Sequence, residues 1–184
     1  MIDENGISRG TKCLGAYKGV ECKGAYPSGY LTFLKSNGWW GDKRIHLCSG
    51  NVKDDGFKVD IRPEMKPDLV ADARDTGLPP ETFDCALIDP PYSADLAESL
   101  YGLRKYYSSI NQFIKEGIRL VKPGGFIISL SYEIPRLQKE TCDMIAVWGI
   151  YEVPSVSSMR CMVVFRKKYR ADKPDPSRDG EESG

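Results

Sequence analysis

Two short runs, Cys85-Ala86-Leu87-Ile88 and Phe126-Ile127-Ile128-Ser129-Leu130, are apolar at almost every position. A strand with one face in water alternates apolar and polar residues, so an unbroken run marks a strand covered on both faces. Between them Leu96, Leu100, Leu103, Tyr107, Ile110, Ile114, Ile118 and Val121 step by three or four, the spacing of one apolar helix face. Ser93 can cap that stretch, Asp95 suits the positive end of its dipole, and Lys122-Pro123-Gly124-Gly125 ends it. Gly102 and Ser108-Ser109 are the points at which it can divide into two helices. Buried strand, helix and buried strand in succession predict an α/β domain with a mainly parallel sheet.

Further strands extend the pattern. Ile45–Cys48, Phe57–Ile61 and Leu69–Ala73 precede the first buried run. Met144–Val153 and Met159–Phe165 follow the second, joined by the hairpin-sized turn Pro154-Ser155-Val156-Ser157-Ser158. The gap between Gly50 and Phe57 is short, whereas a parallel crossover takes roughly a dozen residues or more. The first crossover helix is therefore expected to be shortened or absent. The first forty residues are rich in glycine and aromatics and predict loops or short strands, with one helix from Ser28, as N-cap, to Asn37-Gly38. These features suggest an extension over 1–43 packed on the domain, a main domain over 44–169, and a disordered, charged tail over 170–184.

Composition limits the partners. The 26 basic and 26 acidic residues cancel, which argues against a large non-specific nucleic-acid footprint but leaves room for local patches. Lys35, Lys43 and Arg44 form one candidate patch and Arg166-Lys167-Lys168 with Arg170 another, solvated faces being the plainer reading of both. The six cysteines include no close pair, and with a lone histidine, His46, they predict no metal site. Cys85 and Cys161 lie in apolar runs and read as buried small hydrophobes. With no apolar run long enough to span a membrane and no secretory signal, a cytoplasmic protein is expected.

In parallel sheets ligands bind beyond the carboxyl ends of the strands. The residues there are Ser49-Gly50, Asp60, Asp72 and Asp89-Pro90-Pro91-Tyr92. Aspartates at such ends can accept hydrogen bonds from ribose hydroxyls or an amino group, although aspartate also caps turns. The string Asp-Pro-Pro-Tyr is more informative, since chance produces it in roughly one chain per thousand of this length. Each proline fixes its own φ and holds the preceding residue extended, so Asp89 and Pro90 are rigid. A carboxylate and a backbone carbonyl fixed side by side suit a group with two N–H donors, and Tyr92 supplies a flat face for a base.

Asp89-Pro90-Pro91-Tyr92 after an apolar strand resembles the catalytic motif of the amino methyltransferases, above all the N6-adenine enzymes. That resemblance spans about residues 44 to 168 and implies the Rossmann-like, seven-stranded class I methyltransferase fold: α/β, mostly parallel, with an antiparallel C-terminal hairpin. It further implies S-adenosylmethionine as cofactor, contacted by Cys48, Ser49, Gly50, Asp60, Ile61, Asp72, Ala73 and Asp89. Asp60 would grip the ribose, and Asp72 with Ala73 would contact the adenine. Asp89, Pro90, Pro91 and Tyr92 would carry catalysis. Departures from the family pattern are His46, where an acid is common, and Val52, where a second glycine is usual. The implied substrate is the exocyclic amino group of a nucleic-acid base, adenine N6 in DNA first. RNA comes next, at adenine N6 or guanine N2, and a non-catalytic partner subunit is the rival from another class. Tyr26, Tyr30, Trp39 and Trp40 are candidate substrate contacts or core fillers. A protein partner for target recognition is also expected, since no separate recognition domain is visible.

Overall fold

The computed structural model describes residues 1–14, 26–102, 108–136, 138–152 and 158–169. Three α-helices and eight strands lie within them. In chain order these are β1 (Ser8–Cys13), α1 (Tyr30–Ser36), β2 (Arg44–Leu47), β3 (Phe57–Asp60), β4 (Leu69–Val70), β5 (Phe83–Ile88), α2 (Ala94–Tyr101), α3 (Ile110–Leu120), β6 (Val121–Ser131), β7 (Cys142–Tyr151) and β8 (Arg160–Lys167). The strands form one sheet in the order β1-β7-β8-β6-β5-β2-β3-β4. All neighbours are parallel except β8, which is antiparallel to both β6 and β7. This is the Rossmann-like arrangement expected, with one strand more than the seven anticipated.

The additional strand is β1, which joins the edge beside β7 and continues the parallel direction. Its sequence, SRGTKC, carries no apolar alternation because both its faces are largely solvated. It is anchored instead by Trp148 of β7. The indole N–H donates to Ser8 Oγ at 3.2 Å, and the ring lies so close over Gly10 that a Cβ there would stand 2.7 Å from it.

Alternation along the central strands divides the core in two. Ala86, Ile88, Ile127, Val163 and Phe165 face one side and pack with Ile110, Phe113, Ile114 and Ile118 of α3. Ser109 caps α3, accepting from the Asn111 N–H, so the second break point marks a true helix start. Cys85, Leu87, Ile128, Leu130, Met162 and Val164 face the other side, which Tyr26, Tyr30, Leu34 and Trp39 cover. Tyr26, Tyr30 and Trp39 thus fill the core, and Trp40 packs at its margin. At α1 the N-cap is Gly29 in the left-handed region, not Ser28, and no side chain caps that end. The third strand shrinks to Leu69–Val70, and the expected Pro154–Ser157 turn and 170–184 tail lie outside the described residues. No helix among the described residues is long and apolar enough to cross a membrane.

The connection from β2 to β3 contains no helix, as its length dictates. A carboxylate does the helix's work. Asp54 Oδ2 receives His46 Nε2 at 2.8 Å, Arg44 Nε at 3.1 Å and the Gly56 N–H at 3.1 Å. His46 and Arg44 project from the same face of β2, so the loop is stapled flat against the sheet. Burial lowers the His46 pKa despite the pull of Asp54, which leaves the imidazole neutral. It therefore donates from Nε2 and accepts the Tyr26 hydroxyl at Nδ1, 3.2 Å away. Gly56 is required because a Cβ would stand 2.7 Å from His46 Nε2.

Burial alone would raise the Asp54 carboxyl, but hydrogen bonds from His46, Arg44 and the Gly56 N–H outweigh it and bring the pKa down to about 2. A depressed carboxyl stabilises the fold above its unfolded value, and that contribution disappears as pH falls through the folded value. Asp54→Asn is expected to cost about 2 kcal/mol at neutral pH. Urea titrations at pH 7 and near pH 2 check this, the difference from the parent closing at the acid end.

Candidate active site

The carboxyl ends of β2, β3, β4 and β5 share one edge of the sheet. Beyond β2 the chain reverses through Cys48 (φ 61°) and Gly50 (φ 51°). Cys48 thus holds a left-handed backbone that favours glycine. Two bonds tie this loop to β3: the Ser49 N–H donates to the Val59 carbonyl at 2.9 Å, and the Gly50 N–H to Asp60 Oδ2 at 2.7 Å. Asp60, Asp72 and Asp89 converge around Cys48. Its thiol is pushed well up, first by burial and then by the negative charges of Asp60, Asp89 and Asp72.

Each of the first two carboxylates carries its own arginine two residues on. Arg62 donates from its backbone N–H and Nε to Asp60 Oδ1, and from Nη2 to Oδ2. Arg74 does the same for Asp72, through its N–H, Nε and Nη2. The Arg74 hydrogen bonds hold Asp72 below the usual carboxylate range. The repeated spacing Asp60-Ile61-Arg62 and Asp72-Ala73-Arg74 was readable in the sequence, and pairs each aspartate with a cation the sequence reading did not assign. Ala73 is buried and Ile61 half-buried.

Asp89 differs from both. It stands one residue past β5, its N–H directed at the Leu47 carbonyl 3.4 Å away, and Pro90 behind it is buried. Asp89 Oδ1 accepts the Tyr92 hydroxyl at 2.6 Å, and that hydroxyl accepts Arg160 Nη1 at 2.8 Å. Arg160 Nη2 pairs in turn with Glu152. Burial raises the Asp89 carboxyl to about 6, against the opposing charge of Arg160 and the Tyr92 hydrogen bond. The Tyr92 ring lies 4.7 Å from the Tyr132 ring, tilted by 52°, and the Arg160 guanidinium stands 5.8 Å from its centroid. Tyr132 is 52% exposed, and with Pro90, Pro91, Tyr92, Ser131 and Glu133 it lines a shallow depression. Arg160 and Tyr132 had no marker in the sequence, because each depends on which strands end together.

Among the described residues, Ser49 Oγ just beyond β2 and Ser129 Oγ in β6, opposite Ile88, are buried without a hydrogen-bond partner. Buried polar atoms are normally satisfied, so an orphan beside a carboxylate cluster suits a polar ligand. A groove of about 250 Å³ opens next to the first loop, between Tyr26–Thr32 and Asn51–Lys53. The described members of the two basic clusters are packed against the fold. Arg44 is buried and packs on Trp40, Lys35 sits over the same ring, and Lys43 lies over Phe83. Arg166, Lys167 and Lys168 donate to the carbonyls of Gly124, Val121 and Lys139, and Arg170 lies outside the described residues.

Comparison with known proteins agrees with the topology. The sequence matches no family model. Over 91 residues it is 33% identical to the rRNA N(6)-adenosine-methyltransferase metl-5 of Caenorhabditis elegans, a stretch covering 48% of this chain and 36% of that protein. The chain thus spans about a third of the length of this curated relative. Among solved structures it resembles the N-methyltransferase NodS from Bradyrhizobium japonicum WM9, in complex with S-adenosyl-L-homocysteine, with a TM-score of 0.52 at 12% identity. That match covers 76% of this chain and 84% of NodS. TrmN from Thermus thermophilus gives a TM-score of 0.48 at 17% identity, covering 74% of this chain and 47% of that one. The fold is that of the Rossmann-like methyltransferases.

Asp89 is the group whose placement opposes stability. Its folded pKa lies above the unfolded value, so the fold favours the protonated form, and ionisation destabilises it as pH rises from about 4 through about 6. Asp89→Asn removes that cost while keeping an oxygen for Tyr92. It is expected to stabilise the unliganded protein by roughly 1–3 kcal/mol at pH 7.5 and by little at pH 4, read from denaturation curves at the two pH values.

Proposed function

We propose that this chain is an S-adenosylmethionine-dependent methyltransferase that modifies the exocyclic amino group of a nucleic-acid base, adenine N6 foremost. The observation that carries this reading is Asp89, fixed by Pro90-Pro91 at the carboxyl end of a central parallel strand and flanked by the Tyr92 ring. The residues around it fit the cofactor. S-Adenosylmethionine brings a sulfonium, an ammonium, ribose hydroxyls and an adenine amino group, all matched by acceptors. Cys48-Ser49-Gly50 would hold one part of it, with Ser49 Oγ gaining a partner. Asp60 and Ile61 would hold the ribose side, Asp72 and Ala73 the adenine.

The cofactor supplies an electrophilic methyl on sulfur; every other contribution comes from the chain. A target base displaced from its helix, or taken from a single strand, stacks on Tyr92 and exposes its amino group to Asp89 and the Pro90 carbonyl. Those acceptors draw the nitrogen lone pair out of the ring and stabilise the positive charge that develops as the N–C bond forms and the C–S bond breaks. The amino proton then leaves to Asp89 or to water. To receive the base, Asp89 exchanges the Tyr92 hydroxyl for the amino donor.

Structured RNA is the favoured substrate, supported by the rRNA N6-adenosine enzyme to which half of the chain is similar. DNA, which the Asp-Pro-Pro-Tyr resemblance alone favours, is second. The non-catalytic partner reading has one observation in its favour. Asp60 already accepts four hydrogen bonds, from Gly50 and Arg62, so a ribose must displace part of Arg62.

The test is calorimetric titration with S-adenosylmethionine, then incubation with RNA and DNA pools and mass spectrometry of the nucleosides. N6-methyladenosine in RNA supports the reading, its deoxy counterpart moves it to DNA, and absence of cofactor binding sinks it in favour of a partner role. Asp89→Ala is expected to lower turnover by about 10²–10³-fold or more with cofactor affinity nearly unchanged. Parent activity should fall below about pH 6 as Asp89 takes a proton.

A further inference from the structure

Arg160 is the first residue of β8, and its side chain is only 12% exposed. One strand, β6, lies between its own strand and β5, yet its guanidinium reaches the loop that follows β5. Nη1 donates to the Tyr92 hydroxyl at 2.8 Å, and Tyr92 donates onward to Asp89 at 2.6 Å. Nη2 is engaged by Glu152, just beyond β7, so the guanidinium is oriented from behind. The result is a directed chain, Glu152–Arg160–Tyr92–Asp89, whose last member is the carboxylate on which the function proposed above depends. Sheet pairing does not require this chain, because the backbone register of β8 with β7 already sets Arg160 opposite Ile150.

Resting on that function, we infer that Arg160 is a positioning residue for the transfer: it acts through Tyr92, fixing the ring on which the base stacks and directing its hydroxyl at Asp89. When the base amino group replaces that hydroxyl at Asp89, Arg160 retains the hydroxyl and keeps the ring from swinging. The same guanidinium supplies positive charge that opposes the effect of burial on that carboxylate.

Among the described residues, the groups that face Asp89 are of known sign. They are the Tyr92 hydroxyl from its own loop, Arg160 from β8, Glu152 beyond β7, the Tyr26 and Tyr30 hydroxyls from the segment covering that face, and the Cys48 thiol beyond β2. Burial holds the three tyrosines and the thiol well above their usual ranges, so they stay neutral. Arg160 lowers the Asp89 pKa and Glu152 raises it. Two substitutions that break one ion pair must therefore move Asp89 in opposite directions.

The experiment is the pH dependence of kcat at saturating cofactor for the parent, Arg160→Gln, Arg160→Lys and Glu152→Gln. Arg160→Gln should lower kcat about tenfold or more and move the acidic limb up by about one pH unit. Arg160→Lys should restore the limb but not the full rate, since an ammonium keeps the charge and loses the planar fork. Glu152→Gln should move the limb down. Limbs unmoved in all three, or moved the same way by Arg160→Gln and Glu152→Gln, overturn the proposal and leave a merely structural tie. Carbon-detected NMR titration of ¹³C-aspartate protein, with Asp89→Asn assigning the resonance, reads the same shifts without turnover. A parent with no activity on any pool defeats the function proposed above. The coupling then stands if the titration shifts oppose each other and falls if they do not.

Discussion

The single carboxylate of Asp54 makes the rest of this sheet possible. Parallel neighbours normally need a helix between them, both to carry the chain back and to cover the face it crosses. Here the β2–β3 connection is too short for one, and three donors on Asp54 replace it. The price is an imidazole and a guanidinium buried on a strand that would otherwise be apolar, and the loop supplies part of the partners of each, Tyr26 and the carbonyls of Gly41 and Asp42 the rest. Once that loop is down, β3 lies in register with β2. Asp60 then meets the Gly50 N–H, and the turn at Cys48 is fixed. His46, a departure from the family pattern in the sequence, is thus the residue that suits this chain's shortened crossover.

A second rule governs the carboxyl edge of the sheet. Three aspartates crowd there, and like charges at close range cannot all remain ionised without compensation. Asp60 and Asp72 are neutralised locally, each by an arginine two residues further along the chain. The sequence supplies that compensation in cis, so it forms whenever the turn forms. Asp89 cannot use the same device, because Pro90 and Pro91 follow it and neither has an N–H to give. Its compensation comes from a residue far along the chain, and burial still raises it. Two classes of carboxylate result: acids pinned by their own arginines, and one that burial raises to about 6.

Much of this was legible in the sequence, for a physical reason that differs by element. β5, β6 and α3 were readable because burial on both faces, or on one helical stripe, dictates composition directly. The missing crossover helix followed from chain length alone. Asp89 to Tyr92 were readable because proline restricts its neighbours whatever the tertiary context. β1 was not, since an edge strand exposed on both faces has no hydrophobic pattern, and its one strict demand, a glycine at position 10, makes sense only beneath Trp148. The aromatics at 26, 30 and 39 were ambiguous for the opposite reason. A large ring serves a core and a binding face equally well, and on that side of the sheet these rings, with Leu34 of α1, supply the apolar cover.

Arg160 could not be found by any local rule, and the topology explains why it is nonetheless well placed. In a wholly parallel sheet only the last residue of each strand reaches the carboxyl edge, and each edge position is followed by a loop. A reversed strand presents its first residue there instead. Because β8 is antiparallel, Arg160 stands at the edge where β5 and β6 end, and pairs across to Ile150 where β7 ends. Glu152 follows on that neighbouring strand and arrives at the same level. The hairpin thus brings two oppositely charged residues to the rim from adjacent strands, held by backbone hydrogen bonds on both sides of β8. A guanidinium mounted in this way loses little freedom when it grips Tyr92, which is the condition for orienting a ring with more accuracy than a loop residue could provide.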